Sequence, residues 1–122
     1  MPELDARAVA AGVALSVLVA VLGFFLGFPD IGVWIGALAG GYAGGRMAGR
    51  DGLLHGAVVG AIDVIALAIV TTAGSAAASN VVVDSAATIL SDALLLVLAA
   101  IGGRLATRSS APSSSAGRDR GR

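Results

Sequence analysis

The sequence predicts an all-α membrane protein: a bundle of four transmembrane helices with both termini in the cytoplasm. Composition, the length of the apolar runs and the placement of arginine support this prediction. Of the 122 residues, 57% are hydrophobic and only 13% are charged, whereas soluble domains usually carry about 25% charged residues. A chain of this size could not hide so much apolar surface in a water-soluble core. The absence of cysteine excludes disulfides and thiolate metal sites.

The basic residues are all arginines, and they share one side of the membrane if the chain crosses it four times. The connections on the other side, between spans one and two and between spans three and four, carry only acids, Asp30 and Asp84. Positive charge near helix ends stays cytoplasmic during insertion, so this asymmetry predicts the orientation in the plasma membrane. The topology anchors are Arg7 before the first span, Arg46 and Arg50 between the second and third, and Arg104, Arg108, Arg118, Arg120 and Arg122 at or after the end of the fourth.

The first two spans are predicted over residues 8–28 and 31–48. Asp5 is the expected N-cap of the first, because its side chain can accept hydrogen bonds from free amides of the first turn. Pro29 and Asp30 are expected to form a tight external turn. The second span is short, but at ~1.5 Å per residue it can still cross a hydrocarbon core of roughly 30 Å.

The third and fourth spans are predicted over residues 53–73 and 86–105, with a cytoplasmic turn over 49–52 and a small, polar external segment over 74–85. Short turns make the first three spans consecutive antiparallel neighbours in a compact bundle. Residues 1–105 thus form the transmembrane domain. Residues 106–122 are rich in Ser, Gly and Arg, and they are predicted to be a disordered cytoplasmic tail.

Glycines four residues apart form ridges, a glycine-zipper pattern, on the second and third spans. Such spacing puts glycines on one helix face, where two backbones can approach closely within lipid. We expect the ridges of these two spans to pack against each other, and a second ridge on span two to serve a partner copy or another membrane protein. The ridges are Gly32, Gly36, Gly40 and Gly44, then Gly41, Gly45 and Gly49, and on the third span Gly52, Gly56 and Gly60; the first span adds Gly23 and Gly27.

Two acids lie within predicted spans, Asp63 near the bilayer midplane and Asp92 about one turn away in depth. A mid-membrane carboxylate costs at least ~3 kcal/mol to insert, so at least one of the two should be protonated at neutral pH. Adjacent helices could bring the carboxyls together as a proton or cation site, with Ser16, Thr71 and Ser91 as supporting oxygens. Alternatively, Asp63 is neutral and hydrogen-bonds a backbone carbonyl of a neighbouring helix, and Asp92 faces external water.

The remaining polar residues indicate little chemistry. His55 is the single histidine, and it is expected to be a solvated residue at the cytoplasmic end of span three, with pH sensing as the alternative. The arginines of the tail could touch anionic lipids, but the tail is too short and too poor in aromatics to indicate nucleic-acid binding. No lysine, zinc-binding histidine pair or GxSxG motif occurs, so neither an enzyme nor a metal or cofactor site is predicted.

The stretch from Gly40 to Gly60 follows the pattern GG-x-AG-x-R…DG-x-x-HG-x-x-x-G, and Gly102-Gly103 comes near the end of the fourth span. This pattern resembles a group of small prokaryotic four-helix membrane proteins of unknown function. The resemblance covers roughly spans two to four. It implies the four-helix topology and carries no activity.

Three functions therefore compete. The leading hypothesis is a structural or accessory membrane protein that acts through helix packing or oligomerisation. The lipid bilayer that surrounds it is its expected partner. The alternative is a small proton- or cation-coupled transporter or channel that uses Asp63 and perhaps Asp92, and the third is a holin-like pore former. The chain has the size of a four-helix small multidrug exporter. Such proteins, however, place their essential acid in the first span and are richer in aromatics, which counts against a drug-binding pocket here.

Overall fold

The computed structural model of this protein describes residues 4–74 and 81–109, without the side chains of residues 50, 71–74, 81–86 and 109. The described residues form four α-helices and one turn of 3₁₀-helix. They are α1 (Ala6–Phe25), α2 (Pro29–Ala48), the 3₁₀ turn (Gly49–Asp51), α3 (Gly52–Gly74) and α4 (Val81–Ser109).

Three of these helices are long and apolar enough to cross a membrane. They are α1, residues Gly52–Val70 of α3 and residues Ala87–Arg108 of α4. These apolar helices indicate a membrane location. The remaining helix, α2, is also 20 residues long, but it is less apolar because glycine takes many of its positions and Asp30 and Arg46 lie at its ends.

The turn between α1 and α2 lies earlier in the chain than predicted. Gly27 has a φ of +83°, a left-handed conformation that glycine adopts without steric cost and that commonly ends a helix. The amide of Phe28 donates to the carbonyl of Gly23 at 2.9 Å, which closes the end of α1. Pro29 and Asp30 therefore form no turn; they begin α2, where proline lacks only an amide that would be unpaired anyway. Asp5 caps α1 as predicted, accepting from the amide of Arg7 at 2.9 Å.

Helix α4 is longer than the predicted span over 86–105. It begins at Val81 and continues to Ser109, so residues 81–85 are not part of an external loop and residues 106–109 are not part of a disordered tail. The end is helical because Ala106 is fully buried, and because the Thr107 hydroxyl donates to the carbonyl of Arg104 at 2.9 Å. The external segment over 75–80 and the tail over 110–122 lie outside the described residues.

The order of the helices around the bundle is α1, α2, α4, α3. Neighbours in this ring contact each other, α2 also contacts α3 across the centre, and the described parts of α1 and α4 have no close backbone contact. The predicted α1–α2 and α2–α3 neighbours are confirmed, and α3 and α4 also pack together. Helix α2 thus lies against all three others, which explains why glycine and alanine make up its buried residues.

The glycine ridges pack against partners other than those predicted. The ridge from Gly32 to Gly44 lies against α1, where a Cβ on Gly40 would meet the carbonyl oxygen of Gly12 at 2.6 Å. The Gly41 and Gly45 ridge lies against Ala99 and Gly103 of α4. The ridge of α3 also lies against α4, with Gly52 at Gly103, Gly56 at Ala99 and Gly60 at Leu96 and Ala99.

The ridges of α2 and α3 therefore meet only at Gly45 and Gly52, where a Cβ on Gly52 would lie 3.2 Å from the carbonyl oxygen of Gly45, and not along their whole length as predicted. Gly40 and Gly41 are adjacent on a helix of 3.6 residues per turn, so their ridges point about 100° apart and reach two different helices. Between α2 and α3 the side chain of Val59 fills the space beside Gly44, where a Cβ would meet it at 3.2 Å. Both α2 ridges are thus occupied within one chain, apart from Gly49, which has a φ of +71° in the following turn.

Candidate functional site

Asp63 and Ser16 form a hydrogen bond in the interior of the bundle. The Ser16 hydroxyl on α1 donates to Oδ2 of Asp63 on α3 at 2.6 Å. Ser16 is buried and Asp63 is half-buried. At ~1.5 Å per residue, Asp63 lies ~16 Å along α3 from Gly52, near the middle of this helix. It bonds a neighbouring helix through a side chain and not through a backbone carbonyl.

Close packing of α1 on α2 positions the serine. Gly36 and Gly40 of α2 leave room for α1 at this level, and a Cβ on Gly36 would lie 2.7 Å from the carbonyl oxygen of Ser16. The backbone and Cβ of Ser16 pack against these glycines, and its hydroxyl turns towards α3. The glycine ridge of α2 thus holds the hydrogen-bond donor in place.

A cavity of about 340 Å³ begins at this pair of side chains. Its walls come from all four helices, and they run from Ser16 to Phe24 on α1 and from Asp63 to Val70 on α3. The cavity therefore occupies the half of the bundle away from the described arginines. Among the described residues that line it, Asp63 and Ser16 are the only polar ones, and the others are apolar, among them Val33 of α2 and Leu95 of α4.

Asp92 is not part of this site. The contacts of Gly52 with Gly103 and of Gly60 with Leu96 set the antiparallel register of α3 and α4, and continuing this register places Asp92 at the level of Asp63. Asp92 is half-buried, but it does not line the cavity, and no described residue donates a hydrogen bond to it. Ser91 is likewise half-buried without a described partner, and the side chain of Thr71 lies outside the described residues.

His55 is buried rather than solvated, which contradicts the prediction. Only 1% of its surface is exposed. Its Nε2 accepts from the amide of Asp5 at 2.9 Å, and its Nδ1 lies 2.9 Å from the carbonyl oxygen of Asp51. An amide can only donate and a carbonyl can only accept, so these partners require a neutral ring with its proton on Nδ1. The ring therefore joins the start of α1 to the turn before α3.

The described arginines lie together at the end of the bundle opposite the cavity. Arg7, Arg46, Arg104 and Arg108 are exposed there, and Arg46 donates to the hydroxyl of Tyr42 at 3.0 Å. The side chain of Arg50 lies outside the described part of the chain. In residues 4–74 and 81–109, no group of three acidic, histidine or cysteine side chains comes together in a way that could hold a metal ion.

The cavity walls were not predicted from the sequence. Ser16 was considered only as a supporting oxygen, and no pattern singled out Val33, Leu67 or Leu95.

Comparison with protein-family models, with curated proteins and with solved structures gave no match for this chain.

Proposed function

We propose that this protein is a small integral membrane carrier that binds a proton or a cation at Asp63. The position of Asp63 supports this proposal. Of the described acids within the predicted spans, only Asp63 has a hydrogen-bond partner on a neighbouring helix, and it lies at the base of a cavity formed by all four helices. A carboxyl used only to join helices would need no open space beside it. The cavity gives a bound species room next to Asp63, and the Ser16 hydroxyl can stabilise the charged form of the acid.

The accessory role that the sequence favours is the competing proposal. Its main support was the second glycine ridge of α2, which was expected to be left over for a partner. Gly41 and Gly45 lie against α4 of the same chain, so this reason for proposing an oligomer no longer applies. A holin-like pore also gains no support, because the described interior is closed by glycine contacts at the arginine end. The resemblance to small prokaryotic four-helix proteins remains compatible with either role.

We further propose that α2 crosses the membrane with the other three helices, and that both termini are in the cytoplasm of a cell with this protein in its plasma membrane. The grouping of Arg7, Arg46, Arg104 and Arg108 at one end supports this orientation. Because the chain has no cysteine, single-cysteine variants can test it without background.

The thiol of the variant Leu26→Cys should react with a membrane-impermeant maleimide in intact cells. Leu26 is 72% exposed in the turn between α1 and α2, at the end that the arginine rule places outside. Arg108→Cys is the matched variant at the other end, and it should react only after the cells are permeabilised. The reverse pattern would overturn the orientation, and labelling of both variants in intact cells would show that α2 does not cross.

Flux through proteoliposomes tests the role of Asp63. Protein reconstituted with an internal pH dye should conduct protons, or exchange them for a monovalent cation, and Asp63→Asn should reduce the rate at least tenfold. Asparagine keeps the shape of the side chain and can still bond Ser16, but it cannot exchange a proton. Asp92→Asn removes an acid at the same level outside the cavity and should leave the rate unchanged.

Equal flux in the wild type and Asp63→Asn would refute a carrier based on this acid. If every folded variant lacked flux with protons, inorganic cations and organic cations alike, the accessory role would be the better account.

A further inference from the structure

We infer that the ligand of the Asp63 site is a small lipophilic organic monocation, such as a quaternary or protonated amine with apolar substituents. This inference rests on the proposed function, because it takes Asp63 as the binding group. It goes further by naming the chemistry of the substrate, and that chemistry follows from the walls of the cavity.

The site cannot replace the water around an inorganic cation. The described side chains offer only the carboxyl oxygens of Asp63 and the hydroxyl of Ser16, whereas Ca²⁺ takes about 6–8 oxygen ligands and Mg²⁺ needs near-ideal octahedral geometry. The backbone carbonyls in this part of the bundle are used within the helices. A metal ion would therefore have to leave most of its hydration shell without compensation.

An apolar cation satisfies both features of the cavity at once. Its substituents would contact Val33, Leu67, Leu95 and the neighbouring apolar walls, and its charge would lie near the carboxylate. Oδ2 of Asp63 accepts from Ser16, while Oδ1 makes no hydrogen bond with the described residues and is left for the ligand. No other charged side chain of the described residues lines the cavity, so an ionised Asp63 has no cation beside it there, and a neutral ligand would make no use of its charge.

The size of the ligand is also limited. Pockets for small molecules measure about 300–1,000 Å³, and the cavity of about 340 Å³ is at the lower end of this range. A single aromatic ring carrying an ammonium group fits this limit better than a large multi-ring dye. Phe24, the one aromatic residue among the described walls, lies ~12 Å along α1 from Ser16 and can contact the apolar part of the ligand.

Binding should weaken as the pH falls, because the ion pair needs the charged form of Asp63. The groups that face Asp63 do not titrate: Ser16 lies on α1, and Val33 and Ala37 of α2 and Leu95 of α4 are apolar. Asp92 on α4, level with Asp63 but outside the cavity, is the nearest other acid along the register. Asp92→Asn should therefore preserve the pH dependence, whereas Asp63→Asn should remove it.

The test is equilibrium binding of benzyltrimethylammonium to the full-length protein in nanodiscs. Neopentylbenzene has the same shape without the charge, and Na⁺ and K⁺ serve as inorganic probes. The wild type and Asp92→Asn should bind the ammonium compound at least tenfold more tightly than Asp63→Asn does. Ala66→Leu, which fills part of the cavity and keeps Asp63, should weaken binding as well.

The inference would be overturned if the wild type bound neopentylbenzene as tightly as benzyltrimethylammonium. It would also be overturned if Asp63→Asn bound benzyltrimethylammonium as tightly as the wild type does. Proton or Na⁺ flux that depends on Asp63, without any binding of the ammonium compound, would refute this substrate class and leave the carrier proposal standing. The absence of both would refute the two together.

Discussion

Replacing Gly41 by alanine should disrupt the four-helix bundle. A Cβ at this position would collide with the carbonyl oxygen of Ala99 on α4, and it would lie 2.7 Å from the carbonyl carbon and the Cα of the same residue. These are backbone atoms, so no side-chain rotation can relieve the clash, and α2 and α4 must move apart. Overpacking of this kind typically costs about 1–3 kcal/mol, and in lipid there is no hydrophobic drive between helices to offset the lost contact.

The measurement is the free energy of unfolding in mixed detergent micelles. We expect Gly41→Ala to lose at least ~2 kcal/mol, at the upper part of the range for overpacked cores. Ala93→Val is the matched control, because it also adds methyl groups to a small residue but at an exposed position of α4. Similar losses in the two variants would show that α2 and α4 do not meet along Gly41 and Ala99.

Replacing His55 by alanine should loosen the junction between α1 and α3. The ring is among the largest fully buried side chains in the described residues, and its removal leaves a cavity and takes a side-chain partner from two backbone groups. The amide of Asp5 and the carbonyl of Asp51 would each lose a hydrogen bond of 2.9 Å. A typical hydrogen bond contributes about 0.5–1.5 kcal/mol, so a total loss of ~3 kcal/mol is expected once the lost packing is included.

Hydrogen exchange and unfolding together test this expectation. Amides in the first turn of α1, from Arg7 onward, should exchange faster in His55→Ala than in the wild type. Leu53→Ala is the control on the same helix, since Leu53 is 51% exposed and its truncation removes a surface contact only. Unchanged exchange in α1, or an equal loss of stability in both variants, would mean that the histidine does not hold α1 to α3.

The local features of this protein were the most predictable ones. Asp5 caps α1 because a side-chain acceptor directly before an apolar run needs only its own first turn. The predicted third span, 53–73, nearly coincides with α3, because Gly49 and the 3₁₀ turn interrupt the helical backbone. The first turn was misplaced for an equally local reason: Gly27 adopts a positive φ, and proline suits the first residue of a helix better than the middle of this turn.

The candidate site was only partly predictable. Asp63 was singled out because an acid in an apolar span is costly, and that cost can be read from one residue and its neighbours in sequence. Its partner was one of three candidates, since Ser16, Thr71 and Ser91 all carry hydroxyls in predicted spans. The pairing with Ser16 depends on how α1 is rotated against α3, and the burial of His55 depends on where the start of α1 lies. Neither is a property of a single segment.

The sequence by itself determined that the described chain is helical and that three of its helices are apolar enough to cross a membrane. These properties depend on the composition of consecutive residues, so each can be predicted from a single segment. Only the tertiary structure decided that the ridges of α2 meet α1 and α4, that Asp92 is left out of the site, and that a cavity opens beside Asp63. These outcomes depend on the rotation and spacing of helices, which are set by shape complementarity between glycines, alanines and side chains far apart in the chain.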